Sequence, residues 1–102
     1  MQRAVAFVPD LMDRSRFDGM DHVSFVALSG LVEAAARADV VVVDLGRPGA
    51  LDAVADVSAL GVRVIGFGSH VDADLLEQAR AAGCDQVLAR SRFFADLHAL
   101  LA

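Results

Sequence analysis

The sequence predicts a three-layer α/β fold: a doubly wound, all-parallel sheet of five strands in the order 2-1-3-4-5, with helices on both faces. Three observations predict it. Short β-branched runs alternate with longer stretches of helical spacing, the pattern of βαβ units. Apolar residues make up 56 % of the chain against 23 % charged, which suits strands covered on both faces. A length of 102 residues allows one domain with one core, here taken as 1–102.

The first strand is read at Ala4 to Val8, ended by Pro9. The second runs from about Val23 to Leu28. The third is Val40 to Val43, four valines in succession and the clearest strand of the chain. The fourth covers Val62 to Phe67 and the fifth Gln86 to Ala89. Ser29 or Gly30 can cap a helix through Leu31 to Ala38. Pro48 can occupy the first turn of the next helix, where its missing N–H costs nothing. That helix carries Leu51, Val54, Val57 and Leu60 at helical spacing and stops at Gly61. Asp72 can cap a helix bearing Leu75, Leu76, Ala79 and Ala82 that ends at Gly83. A last helix from about Arg92 places Phe93, Leu97, Leu100 and Leu101 on one stripe. Leu11 to Met20 is charged and poorly periodic, and reads as a short helix or helical turn.

Composition removes several classes of function. Nine basic against fourteen acidic residues give a net charge of -5, and without a basic footprint nucleic acid is not expected as a partner. No stretch of about 18 consecutive apolar residues exists, so no membrane span is expected. Met1, Gln2 and Arg3 run straight into the first strand, so no signal peptide is expected. The single cysteine, Cys84, cannot form an internal disulfide and fits a reducing cytoplasm. Neither GxxxxGK[ST] nor a GxGxxG after the first strand occurs, and no hydroxyl-rich loop follows that strand to hold a flavin phosphate. His22 and His98 lack metal-ligand spacing. Cys84 is expected to pack as a small apolar side chain.

In doubly wound sheets ligands gather outside the carboxyl ends of the strands, at the switch point of strand order. The residues there are Pro9-Asp10, Asp44-Leu45-Gly46-Arg47-Pro48-Gly49, Gly68-Ser69-His70 and Arg90-Ser91-Arg92. Two carboxylates at adjacent strand ends can share Mg2+, a cation that takes hard oxygen ligands. Arginine and serine at the start of a helix favour an anion. The bland alternative is that loops are wet and Asp is a frequent cap.

The stretch Asp39 to Gly49, DVVVVDLGRPG, resembles the third strand and following loop of response-regulator (CheY-like) receiver domains, and Ala81 to Ser91, AAGCDQVLARS, resembles their fourth-helix end and fifth strand. The resemblance implies a flavodoxin-like fold and a role in phosphorelay signalling. It implies Asp44 as phosphoacceptor, Asp10 and Asp44 as Mg2+ ligands, and Ser69 and Arg90 as phosphate contacts. It also implies a protein partner, with pairing of two copies through the fourth-helix and last-helix face if Phe94 points outward. The pattern departs from the family at five places. Pro9 stands where one of two acids is usual, Gly68 at the hydroxyl position, Arg90 at the lysine, Ser91 at the following proline and Val87 at the aromatic switch. This is the pattern of a degenerate or pseudo-receiver. Two further readings stay open. One is a module in which Arg47, Arg90, Arg92, Ser69, His70 and Ser91 hold a small anion without phosphoryl transfer. The other, ranked last, is a small enzyme using the carboxylates and His70.

Overall fold

Side chains alternate faces along a strand, and a strand that is apolar at every position must be covered on both sides. In the computed structural model, which describes residues 2–102, this produces the expected sheet. Strands β1 (Ala4–Phe7), β2 (Val23–Phe25), β3 (Val40–Asp44), β4 (Arg63–Gly68) and β5 (Gln86–Ala89) are interleaved with helices α1 (Leu11–Ser15), α2 (Leu31–Ala35), α3 (Ala50–Ser58), α4 (Ala73–Ala82), α5 (Arg90–Ala95) and α6 (Leu97–Leu100). All strand pairs are parallel, in the order β2-β1-β3-β4-β5. Met1, where the sequence reading begins its run into the first strand, lies outside the described residues.

One face buries Ala4, Ala6, Val40, Val42, Ile65 and Phe67 against Phe17, Met20, Phe93, Phe94, Leu97 and Leu101. The other buries Val5, Phe7, Val41, Val43 and Val64 against α2, α3 and α4 through Leu31, Ala35, Ala53, Val54, Val57 and Ala79. The first face is aromatic. Phe67 and Phe93 stack at 4.6 Å between ring centroids, Phe94 meets Phe67 edge-on at 5.3 Å, and Phe17 meets Phe25 edge-on at 5.2 Å. The alanines of β1 leave room for these rings.

Element ends differ from the sequence reading for local reasons. β1 stops at Phe7 because Val8 precedes proline. β2 is cut to three residues, and Leu28, expected as its last residue, instead opens a 3₁₀ turn over Leu28–Gly30 that leads into α2; an edge strand has one neighbour to hold it. α2 stops at Ala35 rather than Ala38, and α3 starts two residues after Pro48, at Ala50. Leu60 falls beyond α3 and is 48 % exposed, so it does not extend the apolar stripe. The last helix is broken at Asp96 into α5 and α6, and it starts at Arg90, immediately after β5. Phe94 turns inward, at 8 % exposure. The condition on which pairing of copies was expected, an outward Phe94, is therefore not met.

β4 passes close to its neighbours at Gly66. A Cβ there would lie 2.9 Å from Leu45 Cδ1 and 3.1 Å from Cys84 Sγ. Gly66→Ala is expected to cost about 1–3 kcal/mol by overpacking, read as a shift of the urea midpoint at unchanged slope. A variant as stable as the parent would contradict that packing.

Cys84 packs beside this glycine, as a small apolar residue would. Burial first, and the charge of Asp85 second, push its thiol pKa up from 9.0 to about 11. The thiolate is the reactive form. Alkylation at pH 8 is thus expected to be about a hundredfold slower in the folded protein than in the unfolded chain. Equal rates would contradict the burial. The linked stability is fully present below about pH 9 and is lost as pH rises through about 11.

Candidate functional site

Asp44 is the last residue of β3 and is 7 % exposed. Its position follows from the valine run, which carries the chain to the carboxyl edge of the sheet before the first polar side chain occurs. Gly46 N–H donates to Asp44 Oδ1 at 3.2 Å, and Arg47 Nε donates to Oδ2 at 3.3 Å. Both carboxylate oxygens are therefore engaged within the β3–α3 loop.

Asp10 caps α1. Its Oδ1 accepts from the backbone N–H of Met12 at 2.8 Å and of Asp13 at 3.2 Å, satisfying two donors that the first turn of a helix leaves open. The cap sets the direction of α1, and the next turn of chain carries Asp13 under the rim, where it is 3 % exposed. There Asp13 Oδ1 accepts a hydrogen bond from Nη2 of Arg90, the first residue of α5. Arg14 Nε donates to Val8 carbonyl oxygen at 2.6 Å and fixes the β1–α1 corner from behind.

The Arg90 guanidinium also lies 5.3 Å from the Phe94 ring centroid and 5.9 Å from that of Phe67. The aromatic face of the core is its floor. The hydrogen bond to Asp13 chiefly raises its pKa above the ordinary arginine value; burial opposes this, and the charges of Asp13, Asp44 and Asp10 add to it. Arg90 thus sits in the field of three carboxylates from two strand ends.

The other residues singled out in the sequence stand apart from this cluster. Ser69 Oγ accepts from Val71 N–H at 3.4 Å and shapes the turn into α4. His70 and Ser91 are exposed. Arg92 is exposed and pairs with Asp96 at 3.4 Å on the surface of α5. His22 bonds through its ring to Leu101 carbonyl oxygen at 2.9 Å, at the far edge of the sheet. The structure pairs Arg90 with Asp13, a residue of the weakly periodic Leu11 to Met20 segment, and leaves Asp44 and Asp10 to act on Arg90 through their charge. The signal available was the spacing Asp10-x-x-Asp13, which places a helix-cap carboxylate and a second carboxylate one turn apart.

The donor set does not fit a bound Mg2+. Asp10 is committed to the cap, Asp13 to Arg90 and Asp44 to Gly46 and Arg47. Among the described residues, no three His, Cys, Asp or Glu side chains are disposed to hold a metal ion. Mg2+ requires near-octahedral oxygen ligands, and here a guanidinium faces the oxygens instead.

No protein-family model and no curated protein matches this chain. Solved structures do match its fold. A response regulator from Burkholderia pseudomallei, with a phosphorylated aspartic acid, a calcium ion and citrate, aligns at 18 % identity and TM-score 0.73, over 97 % of this chain and 65 % of that one. This chain therefore spans somewhat less than two thirds of that protein. A CheY-like response regulator from Mesorhizobium loti aligns at 17 % identity and TM-score 0.60, over 97 % and 95 %. A pilus assembly protein CpaE from Caulobacter crescentus aligns at 15 % identity and TM-score 0.61, over 99 % and 94 %. The chain has the fold of CheY-like receiver domains. No helix among its described residues is long and apolar enough to cross a membrane.

Proposed function

We propose that the chain is a receiver-like regulatory domain that acts by binding a protein partner, with a carboxyl-edge pocket held in one state by internal ion pairs. The observation that carries this reading is the direction of Arg90. In the receiver pattern the basic residue after the fifth strand serves the phosphoacceptor; here Arg90 hydrogen-bonds Asp13 instead, and Asp44 is held by its own loop. Phosphorylation of Asp44 requires Arg47 to release it and requires a cation that the committed carboxylates do not offer. The anion-binding alternative asks Arg47 and Arg90 to give up Asp44 and Asp13. The paired state therefore favours a pseudo-receiver over both.

The test is an amide NMR titration with Mg2+ and beryllofluoride on the wild type and Asp44→Asn. The proposal expects no response at Asp44, Ser69 or Arg90 in either protein. Shifts at these residues in the wild type that vanish in Asp44→Asn would show a working phosphoacceptor and overturn it. Shifts produced by phosphate without metal, and lost in Arg90→Gln, would establish the anion-binding alternative.

A further inference from the structure

We propose that a crevice between the edge strand β2 and the end of α2 binds a small organic anion, with its carboxylate on Arg3 and Arg37 and a short apolar tail on Val5, Val26 and Ala34. These residues are other than those of the carboxyl-edge pocket, and the site is independent of how that pocket is read.

The crevice follows from two short elements. Side chains alternate faces along a strand. Ser24 is level with Val5 in the β1–β2 register, and Val26, whose N–H still donates to Ala6 carbonyl oxygen, returns to the same face. That face is the one covered by α2. But α2 has only five residues and ends at Ala35, so its cover gives out near the sheet edge. Val26 and Ala34 are left only partly buried. Between them lies a cavity of about 290 Å³ floored by Val5, Val26 and Ala34, close to the lower end of the range for small-molecule sites.

The rim is cationic. Arg3, just before β1, and Arg37, two residues beyond α2, line it with His22 and Ser24, and no Asp or Glu does, in a chain of net charge -5. Arg3 Nη1 lies 3.5 Å from Arg37 carbonyl oxygen, which sets the two residues side by side. Among the described residues, neither guanidinium has a carboxylate within ion-pair distance. Asp39 is close in sequence, but its Oδ2 accepts the backbone N–H of Arg3 at 2.7 Å. Glu33 stands one turn before Arg37 and makes no pair with it. Neighbouring like charges repel, and a carboxylate shared between them relieves this. It also matches the planar donor fork of arginine. The apolar floor beneath favours an anion that carries a tail over a bare one.

The probe is hexanoate, with hexanol and inorganic phosphate as controls, in amide NMR titrations of the wild type, Arg3→Gln, Arg37→Gln and Ala34→Leu. Hexanoate should shift the wild-type signals of Arg3, Val5, Ser24, Val26 and Arg37 saturably, with a Kd of about 1 mM. Arg3 and Arg37 are exposed, so their variants should keep the fold. Each should weaken binding about tenfold, the worth of one charge-assisted hydrogen bond. Ala34→Leu keeps both arginines and a good helix former, fills the floor, and should abolish binding. Hexanol and phosphate each lack one half of the contact and should bind about tenfold more weakly than hexanoate.

No saturable shift at these residues with hexanoate in large excess would overturn the inference. So would an affinity unchanged in both arginine variants or in Ala34→Leu. Hexanol binding as tightly as hexanoate would remove the role of the arginines, and phosphate binding as tightly would remove that of the floor; either result overturns the assignment.

Discussion

Replacing Arg90 with alanine is expected to destabilise the fold by about 3 kcal/mol, near the lower end of the range for breaking a buried ion pair. The reason is asymmetric burial. Asp13 is 3 % exposed and cannot recover its hydration in place, so loss of Arg90 leaves a carboxylate stranded under α1. The reverse change should cost less. In Asp13→Asn the guanidinium, already 45 % exposed, can turn to water, and about 1 kcal/mol is expected for the lost hydrogen bond. The double variant Asp13→Asn/Arg90→Ala should be far more stable than the sum of the two changes predicts, because no stranded charge remains. Equal costs for the two single changes, or strict additivity in the double variant, would contradict a pair buried at its acidic end. Urea unfolding of the four proteins is the measurement.

Gly83→Ala is expected to cost a similar amount, about 3 kcal/mol, from overpacking and backbone strain together. Gly83 follows α4 with φ +120°, a conformation that side chains with a Cβ rarely adopt. A Cβ added there would also overlap the Ser58 side chain at the end of α3. The two helices are joined at this point, since Ser58 Oγ donates to Gly83 carbonyl oxygen at 3.3 Å. The overlap and the backbone strain can be separated. Adding Ser58→Gly to Gly83→Ala should recover the steric part and leave the conformational part. No recovery at all would show that Ser58 does not press on this position.

The fold was legible because it rests on short-range patterns. The valine run of β3, the alternation of strands with helices, and the polar residue at each strand end are all local features, and together they place Asp44 and Arg90 on one edge. The element ends were less legible. β2 is cut short because it lies at the sheet edge, a consequence of strand order rather than of its own residues. Phe94 was read as a possible contact surface, but the ring of Phe67, from a different strand, gives it a place inside. Asp13 was missed for a related reason. Its apolar neighbours Leu11 and Met12 are 76 % and 78 % exposed, while Phe17 and Met20, four and seven residues on, are buried. The apolar residues next to Asp13 therefore point to the wrong face, and the contact with Arg90 completes its place under the rim. Sequence-local reasoning ranks a carboxylate in a polar segment as solvated, and here a residue from the other end of the chain reverses that.

Whether Arg90 serves Asp13 or Asp44 can be read from NMR of the arginine side chains. Held by a buried carboxylate, the Arg90 guanidinium should give resolved, slowly exchanging Nη–H signals in the wild type. They should collapse in Asp13→Asn and persist in Asp44→Asn. Collapse in Asp44→Asn with persistence in Asp13→Asn would mean that Arg90 is wired to the phosphoacceptor position, as in a working receiver, and would contradict the account.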